Sequence, residues 1–164
     1  MVAQGIIAPV PVPEFVLDLR AKVGHDLLWL SGVTAVVRRG NEVLLVQRSD
    51  NHQWTPITGI VDPGEEPGVT AVREALEETG VEIRVDRLAM TSVGDEVVYA
   101  NGDRARYLDL TFACTWLSGE AYVADDESVD VRWCPVVELP PMGPWMSERI
   151  DAALSDEREA RYRT

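Results

Sequence analysis

Long apolar runs, cysteines and positive charge are all scarce in this chain, and each shortage removes a class of protein. The longest apolar stretch, Leu27 to Val37, is broken by Ser31, Gly32 and Thr34. It falls well short of the ~20 residues a membrane helix requires, so no membrane partner is expected. Only two cysteines occur, Cys114 and Cys134, outside any CxxC or Cys/His grouping. They read as buried free thiols in a reducing, cytoplasmic setting. No Lys or Arg precedes Arg20 and no small-residue cleavage site follows, so the N-terminus does not read as a signal peptide. Basic residues number 15 against 28 acidic ones, a formal net charge of −13. Such a surface repels a nucleic-acid polymer, and a small phosphorylated ligand needs a bridging cation.

What remains is an ordinary globular composition, 46% hydrophobic over 164 residues, enough for one domain with its own core. The single domain is expected to span 1–164. Pro9, Pro11 and Pro13 alternate with Val10 and Val12, predicting an extended arm over 1–13. Phe15, Val16, Leu19 and Val23 recur at helical spacing over 14–24. Val33–Arg38 and Glu42–Arg48 read as strands joined by the Arg39-Gly40-Asn41 turn. Further strands are expected at Val81–Arg84, Glu96–Ala100, Tyr107–Leu117 and Val129–Trp133, and helices over 66–79 and 147–162. Strands interleaved with few helices imply an α+β fold, an α/β/α sandwich in which helices flank a mixed β-sheet.

Residues 59–81, GIVDPGEEPGVTAVREALEETGV, stand apart. Asp62-Pro63-Gly64-Glu65 has the pattern of a type II turn, with Gly where φ must be positive. In the helix that follows, Glu74, Glu77 and Glu78 fall within about 100° of arc. Val69, Val72 and Leu76 occupy the opposite side, the one expected to meet the sheet. Like charges at i, i+3 and i+4 cost a bare helix a few tenths of a kcal/mol per pair. Solvation or divalent cations relieve that repulsion, and Mg²⁺ or Mn²⁺ suits oxygen ligands shared with phosphates.

The frame around these acids resembles the signature of the Nudix hydrolases, which cleave nucleoside diphosphates linked to another moiety. Gly59, Glu65, Arg73, Glu74, Glu77, Glu78, Gly80 and Val81 stand at the required spacing, and Ala75 departs where a larger aliphatic is usual. The resemblance, extending over about 32–140, implies that Glu74, Glu77 and Glu78 hold Mg²⁺ or Mn²⁺. It also implies that Arg73 orients the carboxylates and that Glu65 steadies the site or adds a ligand. The Thr58 carbonyl is expected to join the metal shell. In Asp125-Asp126-Glu127, Glu127 is the candidate late ligand or base, the alternative being a solvated loop. Trp54 either stacks on a base or covers core, and Arg48 and Gly59 are further substrate-binding candidates. Trp29, Trp116 and Trp133 read as core.

Subfamily markers mostly say no. There is no Pro between Pro67 and Pro135, where members acting on ADP-ribose tend to carry one, and Tyr99 alone is a weak pointer to dinucleoside polyphosphates. The expected activity is pyrophosphohydrolysis of a small nucleotide, a (deoxy)nucleoside triphosphate by elimination. The alternatives are an ADP-ribose or nucleotide-sugar hydrolase, or a non-catalytic nucleotide-binding domain. The proline arm and the Pro141–Met146 stretch, both apolar, suggest a homodimer.

Overall fold

The computed structural model describes residues 12–164, so the proline arm lies almost wholly outside the described residues. Helix α1 (Glu14–Val23) leads into β1 (Leu28–Arg39) and β2 (Glu42–Arg48). The short strands β3 (Trp54–Thr55) and β4 (Ile57–Ile60) precede α2 (Pro67–Thr79). Then come β5 (Glu82–Val93), β6 (Val97–Val98), β7 (Arg104–Ser118) and β8 (Ser128–Pro135), a 3-10 turn, and α3 (Pro144–Leu154).

Among the described residues the strands form one mixed sheet in the order β3-β2-β1-β7-β5, with β4 on β1, β6 on β7 and β8 on β2. The long β1–β7 pairing is parallel and the others are antiparallel. β1 is buried almost continuously from Gly32 to Val37 because both its faces are covered. Val33, Ala35 and Val37 pack with Ala71 and Ala75 of α2. Val36 packs on the other face with Met90 of β5 and with Ile150 and Ala153 of α3. α1 seals one end through Val16 against Leu30 and Ala105. The result is the expected α/β/α sandwich.

Several boundaries differ from expectation. β1 begins at Leu28, ahead of the expected Val33, because its first residues gain a ladder partner in β7 from Ala105 onward. The last helix spans Pro144–Leu154, not 147–162. Pro144 suits its first turn, and Arg87 Nη2 ends it by donating to the carbonyls of Ala152 (2.8 Å) and Ser155 (2.9 Å). Beyond it, Arg161 forms an isolated bridge with Met90, covering the edge of β5. The Pro141–Met146 stretch is engaged within the chain: Met142 packs on the α3 core and Arg163 lies over the Trp145 ring. Trp29 is a further correction, being 58% exposed, whereas Trp116 and Trp133 pack against the core.

A buried polar network holds α3 to the sheet. Asp109 accepts from Thr34 Oγ1 (2.8 Å) and Thr111 Oγ1 (2.7 Å), and Arg149 Nη1 stands 3.4 Å from its carboxylate. Alternation along β1 and β7 gives no hint of it, since each residue alone reads as a polar interruption.

Candidate active site

The turn after β4 closes as expected: Gly64 has φ +89°, and Glu65 N–H donates to the Asp62 carbonyl at 3.0 Å. Pro67 opens α2 and Gly80, at φ +69°, ends it in the left-handed conformation. The orientation of α2 is the main correction. Val69 and Leu76 are 56% and 51% exposed and Val72 is exposed too, while Thr70, Ala71, Ala75, Glu78 and Thr79 face the sheet. Small residues win that face because α2 lies close to β4. A β-carbon at Gly59 would collide with the Glu74 side chain, which crosses the strand there. A larger aliphatic in place of Ala75, which is fully buried, would push the helix away.

Arg73 organises the acids. Its Nε and Nη2 each donate to one oxygen of Glu65 at 2.9 Å, a two-point pair that Thr70 Oγ1 reinforces at 2.7 Å. Its Nη1 donates to Glu74 Oε1 and Glu77 Oε2, both at 2.9 Å. Hydrogen bonding to Arg73 holds the Glu65 carboxyl down at about 2. Burial raises Glu74 to about 7 despite the same guanidinium.

Glu78 is different. Its side chain is buried, 3% exposed, and burial lifts its pKa well above the ordinary carboxylate range, helped by the charges of Glu74, Glu127 and Asp125. Burial likewise raises Glu127, followed by repulsion from Asp125. The cation acting on both Glu78 and Glu127 is Arg48, whose guanidinium is itself bound at two points to Asp50, at 2.9 and 2.7 Å.

A strap brings Glu127 to this place. Tyr122 N–H donates to the Thr79 carbonyl and Ala124 N–H to that of Glu78, both at 3.1 Å, so residues 122–124 run along the end of α2. Ser49 N–H then donates to the Glu127 carbonyl at 2.8 Å, tying the loop to the end of β2 beside Arg48. Reading Gly80 only as a helix stop misses this arrangement, because a β-carbon there would also collide with the Tyr122 ring. Thr70 and Asp50 were not among the expected site residues either, and as single polar side chains they carry no sequence signal.

The remaining candidates are spread out. Thr58 pairs with Thr34 and immediately precedes Gly59 in β4. Trp54 packs against the α3 core, with Arg132 over its ring at 5.1 Å.

Among the described residues, no three His, Cys, Asp or Glu side chains converge as a ready metal cage. The donor set nevertheless suits a hard divalent ion. Arg73 takes one oxygen each from Glu74 and Glu77, leaving the second oxygen of each and both of Glu78 free of it. A buried carboxylate crowded by like charges is the environment that an added cation relieves.

A helix-flanked mixed sheet carrying a strand–turn–helix cassette of one Arg and clustered carboxylates defines a recognisable class. A family model for the NUDIX domain matches residues 29–153. The chain belongs to that family. It is 30% identical over 139 residues to an NAD-capped RNA hydrolase of Actinobacillus succinogenes, covering 78% of this chain and 50% of that protein. It is 60% identical over 42 residues to an asymmetrical bis(5'-nucleosyl)-tetraphosphatase of Mus musculus, covering 25% of this chain and 29% of that protein. The chain thus spans half or less of these relatives. A solved NUDIX hydrolase from Nitrosomonas europaea superposes with TM-score 0.63 at 24% identity, covering 76% of this chain and 88% of that one.

Proposed function

We propose that the protein is a divalent-cation-dependent pyrophosphohydrolase that cleaves a diphosphate bond in a small nucleotide. The observation that carries this reading is the buried Glu78 carboxylate, set among Glu74, Glu127 and Asp125 with Arg48 as its cationic influence. Burying such a group without a close counter-charge costs stability, a cost that clusters at functional sites.

In this reading Glu74, Glu77 and Glu78, with the Thr58 carbonyl, hold Mg²⁺ or Mn²⁺. The bound ion supplies positive charge to the diphosphate and lowers the pKa of its water. Arg73 fixes where the carboxylates stand, and Glu65 anchors Arg73 from the turn. Glu127, held beside Arg48 by the strap, accepts the proton from the attacking water. Gly59 leaves room for the Glu74 side chain to cross the strand, and Arg48 meets a phosphate oxygen. Two free, buried thiols, Cys114 and Cys134, accord with a reducing cytoplasmic compartment. We also propose a homodimer, on the apolar sequence of the Pro9–Pro13 and Pro141–Met146 stretches.

Product release from (deoxy)nucleoside triphosphates, ADP-ribose, nucleotide sugars and dinucleoside polyphosphates, with and without Mg²⁺, tests the reading. Metal-dependent cleavage of one class supports it. Binding without cleavage across the panel would replace it with a nucleotide-sensing role.

A further inference from the structure

A cleft of about 640 Å³ opens between α1 and the turn before α2, lined by Phe15, Leu19, Lys22, Trp29, Pro63 and Glu65 among others. That volume falls within the range of small-molecule sites. Its α1 wall, including Phe15, Leu19 and Lys22, precedes residue 29, where the family match begins. The cleft thus joins a wall outside the family match to a floor within it, formed by Trp29 and the turn at Asp62–Glu65.

Three observations give it a chemistry. Trp29 is 58% exposed although the next residue, Leu30, is buried under α1, so an indole is left at the cleft where nothing in the core uses it. Lys22 is the one cation among the lining residues, which also include the acids Asp18, Asp62 and Glu65, so the cleft suits an uncharged base rather than a phosphate. Glu65 belongs to two places at once, lining the cleft while its carboxylate anchors Arg73 and, through it, Glu74 and Glu77. The cleft thus adjoins the carboxylate cluster across a single side chain.

We infer that this cleft seats the base of the substrate's nucleoside, stacked on Trp29, with Lys22 facing its polar edge or sugar. The inference rests on the diphosphate site proposed above and extends it, making α1 a specificity element.

The test is calorimetric titration of the full chain with Mn²⁺ present. It uses α,β-methylene-ADP, which is not cleaved at that bond, and methylenediphosphonate, which has the same phosphorus core without a nucleoside. The wild type is expected to bind the nucleotide at least about tenfold more tightly, as one stacked base contributes. Trp29→Ala is expected to erase that advantage while leaving methylenediphosphonate binding unchanged, and Trp29→Phe to keep most of it. Lys22→Met should give a smaller loss in the same direction, and it stands as the second variant if Trp29→Ala does not fold. No nucleotide preference in the wild type, or equal weakening of both ligands in Trp29→Ala, overturns the inference. If the wild type does not bind methylenediphosphonate, the diphosphate site fails by itself. The cleft is then judged on AMP alone, where weaker binding by Trp29→Ala supports it and unchanged binding overturns it.

Discussion

Tyr122 lies so close over Gly80 that the helix-ending glycine cannot carry a side chain. The left-handed backbone there also disfavours any β-carbon. Gly80→Ala is expected to cost about 1–3 kcal/mol of stability for the strained backbone alone. By moving Tyr122 it should also shift the strap that carries Glu127. Urea denaturation combined with turnover checks this, and Tyr122→Ala should restore part of the stability of Gly80→Ala by removing the collision.

Arg73 holds Glu65 at two points and takes one oxygen from each of two further glutamates, a geometry that an ammonium group cannot reproduce. Arg73→Lys is expected to lose about 10- to 100-fold in activity or metal affinity, as positioning residues around metal ligands do. Full activity in Arg73→Lys would mean that the carboxylates stand in place without it.

The Glu65 carboxyl, depressed to about 2 by Arg73, makes a signed prediction. Its folded pKa lies below its ordinary value of 4.5, so its contribution is fully present above that value. That contribution is lost as pH falls from about 4.5 through about 2. Glu65→Gln should flatten this part of the stability-against-pH curve, measured by urea denaturation.

Glu74 behaves oppositely. Burial raises it to about 7, so the metal-free fold loses stability as pH rises from its ordinary 4.5 towards that value. Glu74→Gln and Glu78→Gln are therefore expected to raise the Tm of metal-free protein at pH 8. The same substitutions should lower turnover by about 10²–10³-fold, the scale of losing one charge-stabilising group. Mn²⁺ affinity should rise with pH through about 7, because the ion competes with a proton.

Much of this was legible along the chain, and what was not has a physical cause. The turn at Asp62–Glu65, both caps of α2 and the hairpin at Gly40 follow from local backbone demands that proline and glycine announce. The buried face of α2 is the reverse of the one periodicity predicts. Hydrophobic periodicity assumes that the most apolar side turns inward, whereas here the sheet accepts Ala71, Ala75 and the buried Glu78 and leaves Val69, Val72 and Leu76 outside. Periodicity overruns the end of α3 because the capping group, Arg87, is distant in sequence. Trp29 reads as core because its strand is apolar, and its exposure depends on where α1 packs.

The Asp109–Arg149 pair shows the same limit, since long-range partners leave no local pattern. Arg149→Met is expected to cost about 3–5 kcal/mol by leaving a buried carboxylate uncompensated. The double variant Asp109→Asn with Arg149→Met should recover part of that loss in urea denaturation.

Calorimetric titration of Mn²⁺ into wild type and Glu78→Gln, at pH 8 with α,β-methylene-ADP present, goes straight to the role of the carboxylate cluster. Saturable binding in the wild type, abolished or weakened at least about tenfold by Glu78→Gln, is the outcome expected from losing a ligand. Identical binding by both proteins, or none by either, would mean that these glutamates gather no ion.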